Sequence, residues 1–288
     1  MTLKNPVIIS SSGLTNSAAK NAKLEAAGAG AIVLKSLFEE QIMMEADRLR
    51  NPSYYPEGSD YLAEYIRNHK LAEYLELIKE SKKICTIPVI ASINCYTDAE
   101  WVDFAKQIEE AGADALEINI LALQSDIQYK YGSFEQRHID ILSHIKKTIR
   151  IPVIMKLGSN FTNPVALIDQ LYANGAAAVV LFNRFYQPDI DVEKMEHTSG
   201  DVFSNASDLS TTLRWIGISS SLVSKIDYAA SGGIHKPDGI VKAILAGASA
   251  IEICSAIYQN TNLFVGEMNR FLSAWMERKG FKHISQFK

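Results

Sequence analysis

Cysteine is scarce in this chain. The 288 residues include three cysteines, Cys85, Cys95 and Cys254, at widely separated positions. An odd, scattered set excludes a disulfide framework, and it lacks the paired spacing of a zinc or iron–sulfur site. The cysteine content therefore predicts a protein of the reducing cytoplasm with no bound metal.

An excess of charge of one sign and long apolar runs are also missing. With 29 Lys and Arg against 33 Asp and Glu, the formal net charge is −4, which provides no basic field for nucleic acid or an anionic membrane. No apolar run approaches the roughly 20 residues that span a bilayer. The apolar run at 7–9 is also too short for a signal peptide. We therefore expect a small-molecule substrate and neither a nucleic-acid nor a membrane partner.

What the chain does contain is an internal repeat. A glycine–alanine pattern ends one helical stretch and opens one apolar run in each copy, because glycine accepts the left-handed conformation at a helix end. Its four copies are Gly28–Ile32, Gly112–Leu116, Gly175–Val179 and Gly247–Ile251. A second pattern, Pro-Val-Ile, opens strands at 6–8, 88–90 and 152–154, where proline is tolerated. Alternating strand openings separated by helices indicate a parallel α/β barrel.

The pattern predicts a (β/α)8 TIM barrel built as one domain over residues 1–288. The eight expected strands are 6–12, 31–36, 87–94, 115–119, 151–157, 177–183, 227–232 and 250–255. The clearest helices are expected at 98–111, 134–148, 164–174, 236–246 and 264–279. Continuous Val, Ile and Ala runs suit strands that are buried on both faces.

Two connections are too long for simple turns. One follows strand 2, from Leu37 to about Lys83, and includes a helix around 61–80. The other follows strand 6, from Phe185 to Ile226, and includes a helix around 207–222. Strand-to-helix connections of a barrel lie at its carboxyl-end face, so both insertions are expected to overhang the mouth of the site.

Hydrogen-bonding residues stand at the ends of the expected strands, where catalysis concentrates in this fold. They are Ser12, Gly13, Lys35, Ser36, Asn94, Asn119, Lys156, Asn183, Ser231, Gly232, Gly233, Cys254 and Ser255. Small residues after strands 7 and 8, backed by a helix amino terminus, are typical of a phosphate-binding site. The asparagine amides match a flat heterocycle with several carbonyls and ring nitrogens, and a lysine beside it would stabilise negative charge. A flavin fits this pattern.

The same residues resemble a known family, the class 1 dihydroorotate dehydrogenases, and most of all its dihydroorotate dehydrogenase-like branch. The motifs that carry the resemblance are Ser11-Ser12-Gly13, Lys35-Ser36, Val153-Ile154-Met155-Lys156, Leu181-Phe182-Asn183, Ser231-Gly232-Gly233-Ile234 and Cys254-Ser255-Ala256. The resemblance extends over nearly the whole chain. It implies a TIM barrel, non-covalently bound FMN and a homodimer.

The resemblance also assigns roles to residues. Ser12 and Gly13 are expected to touch the flavin ring, and Lys35 to lie near flavin and substrate. Asn119 and Asn183 would flank the ring, with Asn94 at the same mouth, and Lys156 would reach the pyrimidine edge. The phosphate would be held by Ser231, Gly232, Gly233, Cys254 and Ser255.

The substrate half of the family pattern is different in this chain. Ala122 stands where the family has its catalytic Cys or Ser base, and the family's Asn-x-x-Gly-Leu-Pro-Asn substrate loop is replaced by a helix-like stretch at 62–68. Oxidation of dihydroorotate needs a base for one proton while a hydride leaves to the flavin. Ser125, Cys95 and Tyr129 on nearby loops are candidates for a replacement base, and the expected catalytic residues are Ser125 and Lys35.

The leading hypothesis is an FMN-dependent oxidoreductase that converts dihydroorotate to orotate in pyrimidine biosynthesis, or acts on a related small cyclic or carboxylated substrate. One alternative is a Schiff-base aldolase or synthase with Lys156 as the amine, which requires a lowered lysine pKa. Another is a barrel that binds flavin without turnover. The electron acceptor stays open among fumarate, a quinone, NAD and a partner protein.

Overall fold

The chain was analysed as a computed structural model that describes residues 1–38, 44, 57–95, 101–185 and 187–288. The strands in these ranges are β1 (Val7–Ile9), β2 (Ala31–Val33), β3 (Leu37–Phe38), β4 (Val89–Asn94), β5 (Ala115–Asn119), β6 (Val153–Leu157), β7 (Ala178–Leu181), β8 (Pro188–Asp191), β9 (Glu196–Ser199), β10 (Asp227–Ser231) and β11 (Ala250–Ile253). The helices are α1 (Ala18–Ala26), α2 (Glu57–Ile84), α3 (Trp101–Glu110), α4 (Ser133–Thr148), α5 (Pro164–Ala173), α6 (Leu209–Leu222), α7 (Asp238–Leu245), α8 (Ser255–Asn260) and α9 (Leu263–Lys279).

Eight of these strands form a closed parallel barrel, which confirms the predicted fold. The order around it is β2-β1-β11-β10-β7-β6-β5-β4, and β2 pairs with β4 to close the ring. The short strand β3 adds to the upper part of β4, where Leu37 lies opposite Ile93. All carboxyl ends of the barrel strands therefore meet at one face.

The four repeat glycines end helices in the left-handed conformation, as the sequence predicts. Gly28, Gly112, Gly175 and Gly247 have φ of +108°, +96°, +93° and +113°, and each follows the helix that precedes a barrel strand. An L side chain is strained in this conformation, so each position favours glycine. The repeat thus sets where helices end and strands begin.

Some element bounds differ from those predicted. The expected strand at 31–36 ends at Val33 as β2, and the separate strand β3 begins only at Leu37. Strand β1 is shorter than the expected 6–12. The insertion after the sixth strand contains an antiparallel hairpin, β8–β9, ahead of its helix. Most residues of this hairpin are exposed, so it lacks the alternation of buried and exposed side chains that indicates a strand. The insertion after the second strand contains α2, and the residues between 44 and 57 lie outside the described ranges.

Along the barrel interior, side chains change from apolar to polar toward the carboxyl ends. The lower layer is apolar and consists of Ile8, Ala31, Val33, Ile90, Ala115, Ile154, Val180, Ala229 and Ala250. Two residues further along their strands, and hence on the same face, lies a buried polar layer of Ser10, Ser92, Glu117, Lys156, Ser231 and Glu252. This polar layer is the floor of the site.

Candidate functional site

A cavity of about 340 Å³ opens at the carboxyl ends of the barrel strands. Its volume is in the range of pockets that hold small molecules and cofactors. Residues predicted from the strand ends line it together: Ser36, Asn94, Asn119, Lys156, Asn183, Ser231, Gly232, Gly233, Cys254 and Ser255. The closed barrel brings these residues into one pocket although they are spread over 220 positions, from 36 to 255.

Three predicted cofactor residues are not among the described residues that line this cavity. Ser12 caps a short turn and accepts a hydrogen bond from the Leu14 amide at 3.2 Å. Gly13 lies under Tyr258, since a Cβ added there would meet the tyrosine hydroxyl at 2.9 Å. The side chain of Lys35 is exposed. The lining at this side comes from Ser10, Ser11 and the predicted Ser36, and the flavin contacts of Ser12, Gly13 and Lys35 stay predictions.

The turn after β10 has the shape of an anion-binding cradle. Gly232 and Gly233 both have positive φ, +92° and +75°. A Cβ on Gly233 would overlap the backbone of Leu209 at the start of α6, whereas a Cβ on Gly232 would enter open space. The Ser255 hydroxyl on the neighbouring connection accepts a hydrogen bond from the Ser204 amide at 3.2 Å. Packing against Leu209 therefore requires glycine at position 233, whereas Gly232 borders open space at the cavity.

An asparagine at the end of β5 presents an unused hydrogen-bonding atom. Asn119 is 5% exposed, and its Oδ1 has no hydrogen-bond partner among the described residues. Buried polar atoms are rarely left unpaired. Because Asn119 lines the cavity, a ligand donor in the cavity would complete its hydrogen bonding.

Lys156 is buried in a charged cluster. Its Nζ lies 2.7 Å from Glu252 Oε2 and 2.8 Å from Ser10 Oγ, with Glu117 Oε1 at 3.7 Å. Burial alone would lower the pKa of Lys156, but the charges of Glu117 and Glu252 outweigh it and raise that pKa above its ordinary value. Lys156 is therefore a permanent cation in this site.

The carboxyl of Glu117 has the opposite character. Burial raises its pKa well above the ordinary value, and the nearby Glu252 carboxyl raises it further, while Lys156 only partly offsets both. One of its oxygens, Oε2, has no donor among the described residues, yet the Glu117 and Glu252 carboxyls lie within hydrogen-bonding reach of each other. A proton on Glu117 satisfies both observations.

The loop after β5 holds no acid–base group at the position where the family base is expected. Ala122 is half-buried, and its carbonyl accepts from Asn160 Nδ2 at 3.3 Å. Ser125 is exposed and is not part of the described cavity lining. Cys95 is buried, and the Tyr129 hydroxyl is 3.4 Å from Glu135 Oε2. The role of Ser125 as base stays a prediction, which this arrangement does not support.

Sequence reasoning missed both glutamates and Ser92. Each lies two residues before a strand-end residue that was predicted: Ser92 before Asn94, Glu117 before Asn119, and Glu252 before Cys254. Residues two apart on a strand share a face, and a glutamate within a buried apolar strand is rare without a partner. A glutamate two residues before a predicted strand-end residue was therefore the signal in the sequence that could have identified Glu117 and Glu252.

These residues fit a flavin mononucleotide. Gly232 and Gly233 leave an open cradle of a kind that holds phosphate, and the free Asn119 oxygen and the Lys156 cation provide an acceptor and a positive charge in the same cavity. Lys156, Asn119 and Asn183 would hold the ring, and the glycine turn with Ser255 would hold the phosphate. Bound FMN supplies an acceptor for hydride.

The chain is similar to known proteins over nearly its whole length. The family described as dihydroorotate dehydrogenase matches residues 1–276. A relative from Methanosarcina acetivorans is 26% identical over 291 residues, which cover 99% of this chain and 91% of the relative. A second, from Methanocella arvoryzae, is 28% identical over 295 residues, which cover 98% and 92%. Both are named dihydroorotate dehydrogenase B (NAD(+)), catalytic subunit.

Proposed function

Since the chain belongs to the dihydroorotate dehydrogenase family, whose members are FMN-dependent oxidoreductases acting on CH–CH bonds, we propose that it oxidises dihydroorotate to orotate. The observation that carries the proposal is the cavity that Asn94, Asn119 and Asn183 line together with Lys156 and the Gly232–Gly233 turn. The names of the relatives support the same substrate.

Each group of residues has a defined task in this reaction. The asparagine amides can pair with the ring amides of a dihydropyrimidine, because an amide offers both a donor and an acceptor. Lys156 holds a fixed positive charge beside them, which favours the transition state as negative charge develops in the pocket. The exposed Lys35 side chain is proposed to meet the substrate carboxylate at the mouth.

The Schiff-base alternative is opposed by the site. A lysine that attacks a carbonyl must be uncharged, which requires a lowered pKa. The carboxylates beside Lys156 raise its pKa instead. Its ammonium also bonds to Glu252 and Ser10, so it is not free to attack a carbonyl.

An acceptor survey tests the proposed activity. Purified protein is incubated with dihydroorotate and, separately, fumarate, NAD⁺, a soluble quinone or an artificial dye, and orotate is followed by its absorbance. We expect orotate with at least the dye, a strong loss in Asn119→Ala, and no loss in Ser219→Ala, whose buried hydroxyl is remote from the cavity. No orotate with any acceptor, from protein with its full flavin content, would leave a flavin-binding barrel without this activity.

We also propose a homodimer located in the cytoplasm. The dimer rests on the family resemblance, and the location rests on three free cysteines, which suit a reducing compartment. Among the described residues, no helix combines the length and apolar character needed to cross a membrane. Light scattering on a size-exclusion column measures the dimer directly.

A further inference from the structure

We propose that Glu117 is the proton-accepting group of this site and that the hydroxyls of Ser92, Ser36 and Ser11 connect it to the cavity mouth. This inference rests on the proposed oxidation, which must remove a proton from the substrate. It assigns the base function to the barrel interior instead of the loop that carries Ala122.

The first support is the composition of the buried cluster. Glu117, Glu252 and Lys156 are all at least nine-tenths buried, so two carboxyls share one ammonium. With both carboxyls ionised, the cluster would hold an uncompensated buried negative charge, which is strongly unfavourable. One proton therefore resides on the pair when the site is at rest at neutral pH.

The proton lies on Glu117 because the two carboxyls have different donors. Glu252 Oε2 accepts from Lys156 at 2.7 Å and from Ser10 at 3.1 Å. Glu117 Oε1 accepts from Ser92 at 3.2 Å and has the ammonium only at 3.7 Å, and its Oε2 has no donor among the described residues. The carboxyl with fewer donors is the one that protonates first.

A line of hydroxyls runs from this carboxyl to the cavity mouth. Ser92 Oγ is 2.8 Å from Ser36 Oγ, which is 2.9 Å from Ser11 Oγ. Ser11 and Ser36 line the cavity and are half-buried, whereas Ser92 is fully buried. The three hydroxyls thus bridge the mouth and Glu117.

The hydrogen bonds give this line a direction. Ser11 Oγ already accepts from the Ser36 amide at 2.9 Å, which leaves its own hydrogen free to donate to Ser36 Oγ. Ser36 can then donate to Ser92, and Ser92 donates to Glu117. Every hydroxyl can therefore point its hydrogen toward the carboxylate, which is the arrangement needed to deliver a proton to it.

The transfer balances without another reactant. As the substrate C–H bond breaks, its proton adds to Ser11 Oγ, and each serine passes its own hydrogen to the next oxygen along the line. The last proton forms an O–H bond on Glu117 in the form of the site whose Glu117 has released its resting proton, a form that becomes more populated as pH rises, while the hydride leaves the substrate for the flavin. Between turnovers, the proton returns to solvent by the same line.

The other titratable groups around the cluster also act on this proton. Tyr74 on α2 exchanges hydrogen bonds with the Ser92 backbone, donating at 3.0 Å and accepting at 2.6 Å. Burial raises the pKa of Tyr74, so it remains a neutral phenol. Cys254 on the β11 side faces Lys156, and burial raises its pKa as well. With Tyr74 and Cys254 neutral, the charges that act on Glu117 are those of Lys156 and Glu252.

Infrared difference spectroscopy on the holoenzyme tests this assignment without any substrate. A protonated carboxyl gives a carbonyl band that shifts in D₂O. We expect this band in the wild type, its loss as pH is raised, and its absence in Glu117→Gln, whose amide replaces the neutral acid at the same size. After a jump to high pH, the band should disappear more slowly in Ser92→Ala than in the matched control Ser219→Ala. A missing band in the wild type, or equal rates in the two serine variants, would overturn the proposal.

Rapid mixing with dihydroorotate under anaerobic conditions supplies the second readout. We expect flavin reduction in the wild type to accelerate with rising pH, and Glu117→Gln to be slower by about 100-fold or more with a flat pH profile, as for loss of a general base. Glu117→Asp should restore part of the rate and the pH dependence.

If Glu117→Gln keeps the wild-type rate and profile, the Glu117 assignment fails while the proposed function stands. If dihydroorotate leaves the wild-type flavin oxidised at every pH, the substrate assignment fails and the infrared titration alone decides the role of Glu117.

Discussion

At the scale of single residues, the charge state of this site is set by neighbours. Lys156 is a cation because two glutamates face it, and Glu117 is a neutral acid because Glu252 takes the nearer position to the ammonium. The sequence predicts Lys156 and the asparagines, since they stand at or near strand ends. It does not reveal the glutamates as readily, because their role depends on which strands are neighbours across the closed barrel.

Replacing Lys156 tests the buried ion pair. Lys156→Met should lower the free energy of unfolding by about 3 kcal/mol at pH 8, because loss of one partner leaves buried carboxylate charge uncompensated. Urea unfolding measures it, and the loss should shrink at low pH, where the carboxylates are protonated. An unchanged unfolding midpoint at pH 8 would be incompatible with this cluster.

Glu117 makes stability depend on pH in a known direction. Its pKa in the folded protein is raised above the unfolded value of about 4.3, so the folded state keeps a proton that the unfolded state has released. The stabilising contribution is complete below the unfolded pKa and is lost as pH rises toward the folded pKa. We expect the wild type to lose stability relative to Glu117→Gln over this range. Thermal unfolding of both proteins at a series of pH values gives the difference, and parallel curves would refute the raised pKa.

At the scale of elements, the regular repeat predicts well and the insertions do not. Each glycine–alanine copy marks a helix end because the left-handed glycine is a local requirement, independent of the rest of the fold. Hairpin β8–β9 is different, since its exposed residues leave no burial pattern to recognise. The turn after β10 is partly predictable. Its two glycines are visible in the sequence, but only the structure shows that Gly233 packs against the Leu209 backbone while Gly232 borders open space.

Two glycine variants test the phosphate cradle. Gly232→Ala adds a methyl in open space, so it should cost only about 1–2 kcal/mol of backbone strain. If phosphate occupies that space, FMN affinity should also fall by about tenfold or more, the equivalent of 1.4 kcal/mol, while the affinity for riboflavin, which lacks phosphate, stays near the wild-type value. Gly233→Ala should destabilise the fold more, because its methyl overlaps the Leu209 backbone. Fluorescence titration of the apoprotein measures both affinities, and an equal loss for FMN and riboflavin in Gly232→Ala would place the phosphate elsewhere.

At the scale of the whole molecule, the barrel explains why residues as far apart as Ser10 and Ser255 lie in one cavity. Parallel closure was predictable from the repeat, and the family follows from motifs at the strand ends. The single domain over 1–288 and the homodimer stay predictions. The missing base could not be located from the sequence, because its replacement lies inside the barrel and not in the loop where the family motif directs attention.

An anaerobic visible spectrum of the purified protein, recorded before and after dihydroorotate is added, tests most directly whether this barrel binds flavin and oxidises dihydroorotate. We expect a bound flavin band that bleaches on addition of dihydroorotate, because the cavity holds the cofactor and the barrel provides a proton acceptor. A flavin band that persists at every pH would contradict the proposed oxidation. The absence of any flavin band after reconstitution with FMN would contradict the assignment of the cavity itself.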